Sequence, residues 1–377
     1  MSRFFDLVSK PAREMEGYAP NTAPRQPAAE HPRIIKLESN ENPFGPSPLA
    51  IHAMRPALGV SHSYPDDDCG ELRHRLSEFH TVPVEQVLVT AGSTALLSLL
   101  CQTLLAPGLN AVTSERSFVV YAMAVQAAGA QLIEAPMRQD PMGPEEDGFD
   151  LDAILNTIDE NTRIVFLANP NNPTGTVCDA AAIDQFLAAV PAHVVVVLDE
   201  AYYEFAAHFA ALRKVEYSKS IEYLRRGASV VVLRTFSKAH GLAGLRVGYG
   251  LGPAELLGYC ARMRNTFSVS SVAQAAAAAA LDDHGHIERA VLNNTAQAQV
   301  VGVGLSELGF RVVPTWANFF YCDVAQDAAE YAARLRNEGV SVRPLGLWGA
   351  PTCVRVSIGT PEQNQNFLSA ARRLASH

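Results

Sequence analysis

Three stretches limit the fold more than anything else in the chain: TRIVFLAN (162–169), VVVVLDE (194–200) and ASVVVLRT (228–235). Each is short, β-branched and apolar without a polar alternation, the pattern of a strand buried on both faces. Strands of that kind belong to a mostly parallel sheet covered by helices. VEQVLVT (84–90) and NAVTSE (110–115) read as two more strands, with helices over STALLSLLCQTLL (93–105) and SFVVYAMAVQAAG (117–129). The expected fold class is α/β, a large domain with its sheet between helices.

The pattern changes along the chain. Residues 1–47 hold many prolines and few periodic apolar positions, which suits an extended N-terminal arm. Residues 48–275 carry the strand and helix alternation. The alanine tract SVAQAAAAAALDD (271–283) is expected to belong to one long helix joining two domains, since alanine is the best helix former. Residues 276–377 form a smaller C-terminal α+β domain, with strands in FRVVPTWANFFYCDV, VSVRPL and CVRVSIGT and helices in AAEYAARLRNEG and the last seventeen residues.

Net charge is 30 minus 39, or −9, which argues against a surface built to neutralise nucleic-acid phosphates. The six cysteines are scattered, with no CxxC pair and no metal-ligand spacing, so they read as reduced thiols and no metal is expected. The sequence shows neither a secretory leader nor a transmembrane run, and the cytoplasm is the expected location.

Chemistry gathers where strands end. Lys238 follows the strand ASVVVLRT, flanked by Thr235 and Ser237 and followed by Arg246. In open α/β sheets the carboxyl ends of strands border the ligand crevice, so an amine and an anion site are expected there. A lone lysine in a loop is ordinarily just solvated; the hydroxyls and the arginine change that balance. Asp199 closes the run VVVVLD, where a poorly solvated carboxylate needs a cation or several donors. A structural ion pair would meet that need, as would a protonated ring nitrogen. Gly92, Ser93 and Thr94 open a helix and can seat a phosphate, although Ser93 or Thr94 could equally be a helix cap. NPNNPTGT (169–176) is a rigid turn presenting Asn172, and Arg343 and Arg355 lie on C-terminal strands.

An amine, a buried carboxylate, a phosphate seat with an arginine, a turn amide and a further arginine together match pyridoxal 5'-phosphate and an amino-acid substrate. No strand opens into GxGxxG, which argues against a nicotinamide enzyme.

At that point the chain resembles the fold-type I aminotransferases, and within them the histidinol-phosphate aminotransferase branch. The resemblance runs in order through LESNENPFGPSP, YPDDDCGELR, NPNNPTGT, LDEAYYEF, RTFSKAHGLAGLRVGY, WANFFYCDV and VRVSIGT. It implies that Lys238 is the covalent anchor and general acid/base, that Asp199 pairs with the pyridine nitrogen, and that Tyr202 and Asn172 bond the ring hydroxyl oxygen. It gives Ser93, Thr94, Ser237 and Arg246 to the cofactor phosphate, with Thr235 in support, and Tyr121 to the ring stacked on the cofactor. Tyr64 would reach the phosphate held by a neighbouring subunit, which implies a homodimer with shared sites. Arg355 would take the substrate carboxylate, and Arg343 with Tyr18 a substrate phosphate.

Thr94 and Ala95 stand where the family often has an acidic pair, and Asn21 where a glycine is common. These departures bear on the substrate rather than the cofactor. The resemblance implies transfer of an amino group between histidinol phosphate and 2-oxoglutarate. An aromatic amino-acid donor, a phosphothreonine decarboxylase and a ligand-binding protein that keeps the fold are the alternatives.

Overall fold

The structure, a computed structural model, describes residues 7–15, 34–139 and 147–375. Seven strands form the central sheet: β2 (Val87–Thr90), β3 (Asn110–Ser114), β4 (Gln131–Ala135), β5 (Thr162–Ala168), β6 (Val195–Asp199), β7 (Val230–Thr235) and β8 (Gly248–Leu251), after a short β1 (Ile35–Lys36) that lies elsewhere. Their order is β2-β8-β7-β6-β5-β3-β4, and only β8 runs antiparallel to its neighbours. Every residue of β2, β3, β7 and β8 is buried, as runs without alternation require.

Strand β8 is absent from the sequence reading because its residues are Gly-Tyr-Gly-Leu, a weak strand signal. The structure supplies the reason for the glycines. A Cβ on Gly248 would lie 2.5 Å from the Ser93 nitrogen, and one on Gly250 would lie 2.2 Å from Leu96 Cδ2. The strand lies directly against the helix Ser93–Leu104, at the place where that helix begins.

The alanine tract departs from expectation. It forms the helix Ser271–Ala280, and a second helix, His284–Glu307, starts after a break. Asp283 makes the break: its Oδ1 accepts from the His286 N–H at 3.2 Å, while Oδ2 accepts from Ser47 Oγ at 2.6 Å. An N-cap with that many local donors stops one helix and starts another.

The C-terminal domain has the four-stranded sheet β12-β13-β10-β9, from β9 (Arg311–Val312), β10 (Phe319–Asp323), β12 (Arg343–Pro344) and β13 (Cys353–Ser357). Beside it β1 pairs in parallel with β11 (Val340–Ser341), and Leu37 packs into the apolar core of this domain. The end of the N-terminal segment is therefore built into the C-terminal domain rather than trailing as an arm. Among the described residues no helix is long and apolar enough to cross a membrane, and no cluster of metal-ligating side chains is found.

Candidate active site

The carboxyl ends of β5, β6 and β7 open into a cavity of about 230 Å³ closed on its far side by the C-terminal domain. At its floor Asp199, the last residue of β6, is only 6% exposed. Its Oδ2 accepts from Tyr121 Oη at 3.0 Å and its Oδ1 from the Ala201 N–H at 3.3 Å, both neutral donors. Burial raises its pKa to about 6, against the pull of the Tyr121 hydrogen bond.

Lys238 stands opposite, three residues past β7, with its Nζ donating to the Ser39 carbonyl at 3.0 Å. Burial lowers its pKa to about 7, and the charges of Arg355 and Arg246 push the same way. The loop that carries it is held against the N-terminal segment. Asn42 Nδ2 donates to the Ala239 carbonyl at 2.8 Å, and a Cβ on Gly241, at φ +73°, would lie 2.0 Å from the Gly45 oxygen.

A compact anion cup lies beside the amine. The helix Ser93–Leu104 has Gly92 as its N-cap and no side-chain cap hydrogen bond, so neither Ser93 nor Thr94 is spent as a cap. Facing that turn, Thr235 Oγ1 donates to Ser237 Oγ at 3.0 Å, and Arg246 Nη1 donates to the same oxygen at 3.4 Å. A Cβ on Gly92, at φ +86°, would come within 2.5 Å of Arg246 Nη2, so a side chain here would strain the backbone and push the guanidinium aside. Free N–H groups at a helix start, two hydroxyls and a guanidinium suit a phosphate.

The wall toward the C-terminal domain is a chain of polar contacts. Arg355 Nη1 donates to Asn172 Oδ1 at 2.6 Å and Nη2 to the Glu38 carbonyl at 2.7 Å. Asn172 Nδ2 in turn donates to Tyr202 Oη at 3.3 Å. Arg343 also borders the cavity, and its buried Nε has no hydrogen-bond partner among the described residues.

Most of the expected residues therefore meet in one cavity: Ser93, Thr94, Asn172, Asp199, Tyr202 and Thr235, with Ser237, Lys238, Arg246, Arg343 and Arg355. Tyr121 requires a correction. It is fully buried, its ring stacks on Phe166 at 4.6 Å between centroids, and it touches the site through its hydroxyl on Asp199. Phe118 lines the cavity in its stead. The helix starts only at Val120, so Phe118 sits in the preceding loop and its ring can turn inward.

Tyr64 lies on the exterior, 81% exposed and stacked on Phe267 at 4.5 Å between centroids. Tyr18 lies outside the described residues. The sequence reading missed Phe118, Trp348 and Asn40, all of which line the cavity. Only Asn40 had a signal, inside the asparagine- and proline-rich run LESNENPFGPSP.

The donor set fits pyridoxal phosphate: the cup matches a phosphate, the hydrogen-bond donors to Asp199 among the described residues are both neutral so that a protonated ring nitrogen would suit it, and Lys238 is an amine with its pKa held near 7.

Comparison with known proteins agrees. The model of the family "Aminotransferase class I and II" matches residues 32–370. Histidinol-phosphate aminotransferase 2 of Pseudomonas aeruginosa is 43% identical over the full length of both chains. That of Methylococcus capsulatus is 43% identical over 91% of this chain and 90% of its own. Among solved structures, histidinol-phosphate aminotransferase from Sinorhizobium meliloti in complex with pyridoxal-5'-phosphate superposes with a TM-score of 0.82 at 28% identity, over 91% of this chain and 92% of that one. Aspartate aminotransferase from Thermus thermophilus with maleate gives 0.79 at 25% identity, over 91% of each chain.

Proposed function

This chain belongs to the class I and II aminotransferases, and from that membership we propose that it transfers the amino group of histidinol phosphate to 2-oxoglutarate, in the cytoplasm, within histidine biosynthesis. It is a pyridoxal-phosphate-dependent transaminase. When bound, the cofactor supplies an electron-withdrawing ring in conjugation with the substrate's amino nitrogen.

The chain's own groups divide the remaining work. Ser93, Thr94, Ser237, Thr235 and Arg246 hold the phosphate, and Phe118 covers one face of the ring. Asp199 keeps a positive charge on the ring nitrogen, and Tyr202 with Asn172 holds the ring hydroxyl oxygen. Lys238 Nζ, with a pKa of about 7, would take a proton from the substrate Cα at neutral pH and deliver it to the cofactor's aldehyde carbon. Arg355 binds the α-carboxylate of the 2-oxoglutarate acceptor and of the glutamate formed from it; histidinol phosphate carries no carboxylate, and its phosphate, which stands in that place, meets Arg355 and Arg343 together.

The observation that carries the substrate assignment is the second guanidinium in the cavity. Arg343 stands on β12 directly across from Arg355 in the sheet register, with a buried Nε still to be bonded. Two arginines side by side on one wall suit a doubly charged phosphate, which histidinol phosphate carries where an amino acid has its carboxylate.

The two subunits of a homodimer complete the site in this reading, with Tyr64 and Phe267 reaching the neighbour. A panel of donors tests the substrate: histidinol phosphate, aromatic amino acids and phosphothreonine on wild type and Arg343→Ala, with products identified. Loss of one charge-assisted bond should lower kcat/KM for histidinol phosphate by roughly ten- to a hundredfold and affect phenylalanine far less. Equal losses on all donors would remove Arg343 as a phosphate reader. A wild-type preference for an aromatic donor, or release of carbon dioxide from phosphothreonine, would replace the proposed reaction.

A further inference from the structure

The run LESNENP contains a residue to which none of the roles above is given. Asn40 is 1% exposed and adopts the left-handed conformation at φ +56°, which asparagine tolerates better than most residues. Its backbone N–H donates to Ser357 Oγ at 2.8 Å, and its carbonyl accepts from Asn318 Nδ2 at 3.0 Å. Ser357 Oγ donates to Asn40 Oδ1 at 3.0 Å, and Asn40 Nδ2 donates to Tyr202 Oη at 3.0 Å.

These contacts fix which way the amide points. Ser357 Oγ accepts from the Asn40 backbone and gives its single proton to the side-chain oxygen. The amide nitrogen is left facing Tyr202. Tyr202 Oη thus receives N–H donors from both Asn40 and Asn172, and its own hydrogen points away from the two amides. Ser357 lies on β13, two residues beyond Arg355, so the same contacts tie the phenol to the strand that binds the carboxylate.

We propose that Asn40 is a positioning residue for the transamination: it aims the Tyr202 hydroxyl at the cofactor's ring oxygen and keeps that hydroxyl in register with Arg355. The inference rests on the role given to Tyr202 under the proposed function. An O–H donated to the ring oxygen competes with a proton held there, so a misaimed phenol leaves that proton bound to higher pH.

The test uses the loaded enzyme and the pH midpoint of its visible absorbance. Asn40→Gly keeps the left-handed backbone and both backbone hydrogen bonds while deleting the contact to Tyr202. Asp199, Lys238, Arg246, Arg343, Arg355 and Glu41, the charged groups around this corner, stay in every variant. Tyr202→Phe should move the midpoint upward. Asn40→Gly should move it the same way by about 0.4–1 unit, as expected for one hydrogen bond, with kcat lowered about three- to tenfold and KM changed less. The double variant should match Tyr202→Phe alone.

An unmoved midpoint in Asn40→Gly, or fully additive shifts, would overturn the inference while leaving Tyr202 in its role. An unmoved midpoint in Tyr202→Phe would overturn both, because the phenol would then not reach the ring oxygen. Neither result bears on the substrate panel, so the two readings fail separately.

Discussion

Arg355 Nη1 donates to Asn172 Oδ1 at 2.6 Å, and that one bond joins the C-terminal sheet to the turn after β5 of the central sheet. Arg355 is 7% exposed, so its charge is largely removed from water and needs an anion or strong acceptors. The Asn172 amide oxygen and the Glu38 carbonyl accept from its two terminal nitrogens and set the direction of the guanidinium.

Arg355→Lys is therefore expected to keep a positive charge while losing the planar fork that grips Asn172 and Glu38 together. Steady-state kinetics should show kcat/KM lowered about ten- to a hundredfold for every carboxylate substrate tried. The proposed role is wrong if carboxylate substrates are unaffected while the fold remains intact by circular dichroism.

Asp199 and Lys238 make the cofactor-free protein's stability depend on pH in opposite directions. The Asp199 carboxyl has its pKa raised to about 6 by burial, so the folded chain holds a proton that the unfolded chain has lost. Its contribution is fully present below about pH 4 and is lost as pH rises through about 6. Lys238 has its pKa lowered to about 7 by burial, so the folded chain lacks a proton that the unfolded chain keeps. Its contribution is least favourable below about 7 and recovers as pH rises toward that of an ordinary lysine.

Both costs are present together between about pH 6 and 7. Asp199→Asn keeps an acceptor for Tyr121 and removes one of them, so it should raise the Tm of cofactor-free protein most at and above pH 6, by an amount on the order of 2–3 kcal/mol of stability. The same substitution should lower kcat of the loaded enzyme roughly 10²–10³-fold, because the ring nitrogen loses its counter-charge. Thermal unfolding from pH 4 to 9 checks the first part. An equal Tm difference at all pH values would show that Asp199 is not the group responsible.

Asp199, Lys238 and Asn172 were legible because each lies at or a few residues past the carboxyl end of an apolar strand, where polar residues border the crevice. Strand β8 was not legible, because Gly248 and Gly250 answer to the approach of the helix Ser93–Leu104, a contact between segments distant in sequence. The choice between Phe118 and Tyr121 was similarly hidden. Two aromatic rings three residues apart look alike until the start of the helix is known, and only the fold puts one in the cavity and the other under Asp199. Asn40 was visible as part of a motif, but its partners Ser357, Asn318 and Tyr202 come from three separate regions of the chain.

The exterior position of Tyr64 supplies the remaining prediction. Tyr64, 81% exposed, stacks on Phe267, itself 43% exposed. Arg264 donates to the Asp67 carbonyl, and the Phe267 N–H donates to the Asp67 carboxylate, so the loop bearing Tyr64 and the segment bearing Phe267 are held as one surface. An aromatic pair displayed on a braced surface suits contact with a second subunit. If Tyr64 serves the neighbour's cofactor phosphate, Lys238→Ala and Tyr64→Phe chains mixed under conditions of subunit exchange should form heterodimers with one site lacking both groups and one intact site. Activity in the mixture should then exceed that of either parent, approaching a quarter of wild type per subunit when exchange is random and the parents are inactive, since half the dimers are hybrid and each carries one working site of two. Sedimentation should show a dimer throughout. A monomer with full activity, or a mixture no more active than the average of its parents, would place the function of Tyr64 within its own chain.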